Sequence, residues 1–388
     1  MTNAPNPGNE PESNSDQPEQ ASTRRSRRRY RSLGLALGVI FLAGLGGGIG
    51  FGWFFVQRQL APLVERNVER LLNRPLQLGE VESLTFNGLN FGAASIPATA
   101  TDPDRATVKG VEVAFNPLQF LLTRTLELEI TLVEPDVYLE QNEKRQWVST
   151  KLQPQEKGAI DVKLQVLRFR DADVVLVPRS QAGKLQAPVT VAVPSGETRF
   201  LEQNKLIKFE LAGQLVRGGN FTIEGQSRPS VQQTNLVVAG QNIVATELSR
   251  LLQLPLVLQA GNLDGNLEVR IEKEQPLKFL GTANLKNITA RIPQLPKPFA
   301  NTNGRLRFRE TQVRLENVKT LFGQVPAEAN GVVDTQSNYN LTARTQPVAI
   351  KQVLQTFNFK ELPVTVSGQV QTALRVTGPL AKPVVSGE

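Results

Sequence analysis

Apolar and polar residues alternate with a period of two along most of the chain. In LELEITLV, residues 126–133, apolar side chains alternate with Glu127, Glu129 and Thr131. The same alternation recurs in VKLQV (162–166), IKFEL (207–211), FTIEG (221–225), NLEVRI (266–271), QVRLEN (312–317) and ALRV (373–376). Strands with one apolar and one polar face are typical of antiparallel sheets that are wet on one side. The pattern therefore predicts a mainly β protein built on an antiparallel sheet.

Three segments depart from this period and predict helices. Residues 57–75 place six Leu and Val residues on one helical stripe with charged residues opposite, which is typical of an amphipathic helix. TELSRLLQ (246–253) and VAIKQVLQTF (348–357) predict two short helices, each leading through Leu-Pro towards a further strand. The sheet is thus expected to contain only a few short helices.

An internal repeat organises the second half of the chain. GETRF (196–200) and GRLRF (304–308) share the spacing G-x-x-R-F, and later matches follow in the same order at an offset of about 106 residues. We predict a β segment over residues 76–195, a first repeat over 196–303 and an incomplete second repeat over 304–388. Such arrays form elongated sheets that are stabilised by neighbouring repeats. Because the chain ends within a strand pattern, we expect it to be part of a longer array.

A stretch of 24 residues without charge, 33–56, precedes the β region. As a helix it would be roughly 36 Å long, enough to cross a hydrocarbon layer about 30 Å thick. A cleavable signal peptide is the alternative, but its apolar region is usually shorter and followed by a small-residue cleavage site. We predict a transmembrane helix.

A cluster of arginines lies directly before this stretch, in a polar tail, residues 1–32, that is predicted to be disordered. The topology-setting residues are Arg24, Arg25, Arg27, Arg28, Arg29 and Arg31. Basic residues next to a membrane span favour the cytoplasmic side. We therefore expect a single-pass inner-membrane protein, in a plasma or inner envelope membrane, with a cytoplasmic N-terminus. The bulk of the chain would lie in the periplasm or intermembrane space.

Composition excludes several classes of function. The chain has no His and no Cys, which rules out Ser-His-Asp and Cys-His triads, the usual zinc sites and disulfides. Of the net charge of +8, the tail to residue 32 carries +2 and the 332 residues after the apolar stretch carry +6, spread along the strands, so no basic stripe there indicates nucleic-acid binding. We expect no cofactor and no metal.

Paired carboxylates are the remaining option for acid–base catalysis. The pairs Asp102/Asp104 and Asp171/Asp173 lie in a turn and at a strand start, where Asp is common for local hydrogen bonding. Glu127 and Glu129 share a solvated strand face. A carboxylate hydrolase is a remote alternative, and we expect that the protein is not an enzyme.

The sequence resembles the AsmA-like superfamily, and in particular the N-terminal part of TamB-type proteins of the cyanobacterial or plastid branch. The resemblance lies in the Arg-flanked apolar segment and in residues 73–92, 115–147, 304–334 and 374–388. It implies a curved antiparallel β-groove that runs from the inner membrane towards the outer membrane. It also implies phospholipid transfer or support for the translocation and assembly of outer-membrane proteins. An Omp85-class barrel would be the partner, through a C-terminal region that these residues do not contain.

Within such a groove the inward apolar positions would contact lipid acyl chains. The candidates are Leu126, Leu128, Ile130, Leu132, Leu267, Val269, Ile271, Leu306, Phe308, Val313 and Leu315. Each of them is also explained by ordinary packing in a core. A passive periplasmic β-repeat scaffold or adhesin with a dry core is therefore the alternative function.

Overall fold

The structure is a computed structural model that describes residues 74–145, 147, 161–180, 182–252, 254, 256–359 and 367–387. The Arg cluster, the predicted transmembrane helix and all but the last two residues of the predicted amphipathic helix lie outside these residues. In the part of the chain that the structure describes, no helix has both the length and the apolar character needed to cross a membrane.

The described residues form 22 strands and three short helices, so the predicted mainly β fold is confirmed. The strands are β1 Val81–Thr85, β2 Gly88–Phe91, β3 Ala94–Ile96, β4 Arg105–Val108, β5 Gly110–Phe115, β6 Thr125–Val133, β7 Asp136–Glu140, β8 Asp161–Val177, β9 Val189–Leu201, β10 Leu206–Leu215, β11 Asn220–Arg228, β12 Gln233–Val244, β13 Val257–Ile271, β14 Lys278–Arg291, β15 Phe299–Glu310, β16 Gln312–Phe322, β17 Val325–Asp334, β18 Asn338–Thr345, β19 Val348–Ala349, β20 Gln369–Val370, β21 Ala373–Pro379 and β22 Val384–Gly387. The helices are α1 Pro117–Thr123, α2 Ala245–Leu251 and α3 Ile350–Thr356.

Twenty of the strands belong to one sheet. Its neighbours run in the order β1-β2-β5-β6-β8-β9-β10, and then strand by strand to β18, β21 and β22. β3, β4 and β7 extend the sheet beside the second half of the long strand β8. Most neighbours are consecutive hairpin strands, which explains why the short turns of the sequence recur so regularly.

The prediction of a purely antiparallel sheet is wrong at one place. β6 and β7 both pair in parallel with β8. They follow each other along one line, interrupted at Glu134, whose φ is 46°. Twenty residues, 141–160, then separate β7 from β8, and parallel neighbours require a crossover connection of a dozen or more residues.

The two predicted repeats contain the same succession of elements. β9 to β12 are followed by α2 and β13, and β15 to β18 are followed by α3 and, after the short strands β19 and β20, by β21. Both short helices lie where their sequence patterns predict them. The proposed domain boundaries stay a prediction.

The sequence pattern did not predict α1. Asn116 caps this helix, since its side-chain oxygen accepts hydrogen bonds from the backbone N–H groups of Leu118 and Gln119 at 3.1 Å. Pro117 occupies the first turn, and Arg124 ends the helix in a left-handed conformation. Asn-Pro followed by a short apolar run is a helix-start signal, and it precedes a strongly alternating strand.

β-Bulges interrupt several strands at similar positions along their length. The pairing shifts by one residue in β12, β14 and β16 next to Asn242, Asn287 and Asn317. All three asparagines have φ between 50° and 54°. A bulge bends its strand and increases its twist, so these bulges bend the sheet along one line across the repeats.

The most closely packed zone of the repeats lies beside the helices. Val189, Val191 and Leu215 form a buried cluster, against which Ile243 of β12 and Leu251 of α2 pack. Near α3 the rings of Phe299 and Phe322 are 4.9 Å apart, and Phe357 contacts Phe322 at 5.6 Å between ring centroids. The helices therefore cover one part of the apolar face of the sheet.

Candidate functional site

A continuous line of apolar residues crosses the sheet at right angles to its strands. We call it the cross-strand row. It consists of Val81, Phe91, Val111, Leu132, Phe169, Gly196, Leu211, Ile223, Val238, Leu267, Gly281, Phe308, Val313, Val333, Tyr339 and Gly378, each directly opposite the next. Opposite residues project from the same face of a sheet. At a strand spacing of about 4.8 Å, the row is roughly 70 Å long.

Burial changes along the row. Phe91 and Val111 near its start are 2% and 8% exposed, so they belong to a packed core. From Leu211 to Tyr339 each side chain of the row is only partly buried. A single sheet layer with a half-exposed apolar face therefore continues across the repeats.

A second row runs beside the first from β10 to β22. It consists of Gly213, Phe221, Gly240, Gly265, Ala283, Leu306, Leu315, Gly331, Leu341, Val376 and Val385. Its four glycines and one alanine are interspersed with bulkier residues, and the ring of Phe221 lies over Gly213. The second row therefore continues the apolar face between the cross-strand row and the line of bulges.

The predicted lipid-contacting residues fall into three settings. Leu132, Leu267, Phe308 and Val313 lie in the cross-strand row, and Leu306 and Leu315 lie in the second row. Leu126 and Leu128 are each only 5% exposed. Ile130 and Val269 are half-buried, and Ile271 is 39% exposed at the end of β13. Leu126 and Leu128 thus have the burial of core residues, while the others are accessible.

Sequence reasoning missed much of the cross-strand row. Phe91, Phe169, Val238, Val333 and Tyr339 were not identified as candidates, although each lies on an apolar strand face. The alternation within IKFEL and FTIEG predicts that Leu211 and Ile223 lie on the apolar face of their strands, but it does not predict which residues lie opposite them on the adjacent strands. Which residues face each other depends on register, and the bulges shift the register from strand to strand.

The opposite face is polar and contains paired charges. Arg168 contacts Glu129 and Glu197, both at 2.8 Å. Hydrogen bonds from Arg199 and then from Arg168 hold the pKa of Glu197 below its usual value. Two recesses of about 580 and 550 Å³ open on this face between β5 and β13. Their floors include the row Glu197, Glu210 and Glu224.

The candidate catalytic carboxylates have structural contacts. Asp102 pairs with Arg74 at 3.1 Å, and Asp104 accepts a hydrogen bond from the Glu140 N–H at 2.8 Å. Burial raises the pKa of Asp104. Glu127 accepts a hydrogen bond from Gln119 at 2.6 Å. These contacts hold loops and strands together.

Comparisons with known proteins connect the chain to the plastid lineage. Over 157 residues, 39% of this chain and 7% of the relative, it is 27% identical to Protein TIC236, chloroplastic, of Arabidopsis thaliana. Over 150 residues, 38% of this chain and 7% of the relative, it is 25% identical to Protein SUBSTANDARD STARCH GRAIN 4, chloroplastic, of Oryza sativa subsp. japonica. The matches therefore span only a small part of these relatives. No protein-family model and no solved structure matches the chain.

Proposed function

We propose that the chain belongs to an envelope-biogenesis protein whose half-exposed apolar face carries lipid acyl chains across an aqueous compartment. The observation that supports this proposal is the continuity of the cross-strand row over sixteen strands. From β10 to β18 a lipid that moves along it would find a partly exposed apolar side chain on every strand except β14, where the row has Gly281, so no single residue has to bind the lipid tightly.

The energetics of an acyl chain explain why such a surface is needed. Exposing an acyl chain of about 16 carbons to water costs roughly 13 kcal/mol of free energy, at about 0.8 kcal/mol per CH₂. Partial cover at each strand offsets much of this cost. The second row widens the apolar face beside the cross-strand row, and an acyl chain can lie along both rows.

In this proposal residues 33–56 anchor the protein in the inner membrane, with the Arg cluster on the cytoplasmic side. The same apolar face serves proteins destined for the outer membrane if their unfolded apolar segments bind it. An Omp85-class barrel is the proposed partner, contacted by a region beyond the residues described here.

Photo-crosslinking tests the lipid function. A photoreactive amino acid at Val313 projects from the apolar face, and the same amino acid at the adjacent Arg314 projects from the polar face. After expression in cells, we expect phospholipid adducts, identified by mass spectrometry, at Val313 and not at Arg314. Equal labelling at the two positions, or none at Val313, contradicts the proposal. If no phospholipid adduct forms at Val313 and the purified protein also contains no lipid, the alternative function as a scaffold with a dry core is favoured.

A further inference from the structure

The first strands of the sheet present an apolar tip. Phe86, in the turn between β1 and β2, is 79% exposed, and Leu118 and Leu122 of α1 are 64% and 86% exposed. The turn and the helix are neighbours, because the backbone N–H of Phe115 donates a hydrogen bond to the Asn87 carbonyl at 2.9 Å. We define the apolar tip as Phe86, Leu118 and Leu122.

The helix holds its two leucines in a fixed orientation. Residues four apart lie on the same face of a helix, so Leu118 and Leu122 project together. The N-cap Asn116 fixes one end of the helix. Gln119 donates a hydrogen bond to Glu127 at 2.6 Å, which ties the helix to β6. The leucines are therefore exposed on a rigid element.

The charges around the tip fit a lipid surface. Residues 85–88 and 115–125 contain neither Asp nor Glu, and their one basic residue, Arg124, is exposed. Glu127 of β6, which also contacts the helix, accepts the hydrogen bond from Gln119. By contrast, the turn between β13 and β14, at the same end of the sheet, exposes Leu277 two residues after the charged segment 272–275, which includes two Glu and one Lys. Exposed aromatic and aliphatic side chains beside a cation favour the boundary between headgroups and acyl chains.

We propose that the apolar tip inserts into the surface of a lipid bilayer, to a depth of about 5–10 Å. The tip lies in the turn between β1 and β2 and in α1, which connects β5 to β6, and the cross-strand row begins on these strands. This position brings the start of the row to the bilayer. The inference relies on the proposed anchoring by residues 33–56, which places a membrane within reach, and it does not depend on lipid transfer.

The absence of native cysteine allows a clean test. The full chain is reconstituted into phosphatidylcholine vesicles as three single-cysteine variants, Phe86→Cys, Leu122→Cys and Leu277→Cys, each labelled with an environment-sensitive dye. We expect a blue shift and quenching by doxyl-labelled lipids at the two tip positions. The dye at Leu277→Cys, an exposed apolar position in a charged turn, stays in water and is not quenched.

Further measurements distinguish insertion of the tip into lipid from contact with another protein and from loss of the membrane anchor. Added phosphatidylglycerol increases quenching at the tip, and Arg124→Gln removes this increase. A blue shift in detergent that grows with protein concentration indicates a second copy or a protein partner and overturns the proposal. If the chain associates with vesicles but the dyes at the tip are not quenched, the tip does not insert and the proposal is overturned. The proposed anchor and lipid function are not affected by that result. Chain that does not associate with vesicles overturns both the anchor and the tip.

Discussion

Gly213 of β10 lies directly opposite Phe221 of β11, and the aromatic ring covers the glycine. A Cβ atom built at position 213 would approach the ring to 2.4 Å. Gly213→Ala therefore forces Phe221 away from the second row. Overpacking of this kind costs about 1–3 kcal/mol, and we expect faster hydrogen exchange of β10 and β11 amides in the variant.

Gly110→Ala is the matched control. A Cβ atom at position 110 meets its nearest neighbour, the Phe91 carbonyl oxygen, at an ordinary 3.5 Å. We expect this variant to exchange its amides as the wild type does. Equal protection in Gly213→Ala and Gly110→Ala would show that Phe221 moves without cost.

The sequence predicts the strands and their faces well because each face follows from alternation within one segment. α2 and α3 were also predicted, since their apolar spacing differs clearly from that of a strand. The parallel pairing of β8 was not predictable, because it depends on a break at Glu134 and on a long connection. The cross-strand row depends on register, which the left-handed residues Asn242, Asn287 and Asn317 shift by one position. Alternation alone contains no signal for those shifts.

A second prediction concerns the bulge at Asn317. Its φ is 50°, and its backbone N–H donates a hydrogen bond to the Asn330 side chain at 2.8 Å. Asn317→Val introduces a β-branched residue into the left-handed region, at a cost of about 1–2 kcal/mol. We expect local loss of protection in β16 and β17 by hydrogen exchange, while Asn317→Gly stays close to wild type because glycine adopts this conformation freely. Wild-type exchange in Asn317→Val would contradict a strained bulge.

The buried carboxyl of Asp104 makes stability depend on pH. Burial is the main cause that raises its pKa above the ordinary value of 3.8. The folded state then binds the proton more tightly than the unfolded state, so stability is lost as the pH rises through the folded pKa. Asp104→Asn keeps an acceptor for the Glu140 N–H and should remove this loss. Thermal unfolding from acidic to neutral pH measures the difference.

Glu197 provides the opposite case as a control. Its pKa is lowered, mainly by the hydrogen bond from Arg199, so its contribution is lost as the pH falls through the folded pKa. Glu197→Gln should therefore reduce the loss of stability at acidic pH, whereas Asp104→Asn should reduce the loss of stability as the pH rises towards neutrality. Identical profiles for both variants and wild type would contradict both assignments.

Aspartate substitutions distinguish an open apolar face from a packed core. Leu315 is half-buried in the second row and Ile130 is half-buried in β6, whereas Leu128, two residues away, is 5% exposed. We expect Leu315→Asp and Ile130→Asp to remain folded by circular dichroism, because water reaches their new carboxylates. Leu128→Asp should unfold its region, since an unpaired buried charge costs several kcal/mol. If the apolar face carries lipid, Leu315→Asp also loses copurified phospholipid, while Arg314→Asp on the polar face of the same strand retains it. Unfolding of Leu315→Asp to the same extent as Leu128→Asp would mean that the second row is covered in the native protein, and the lipid function would then have to be abandoned.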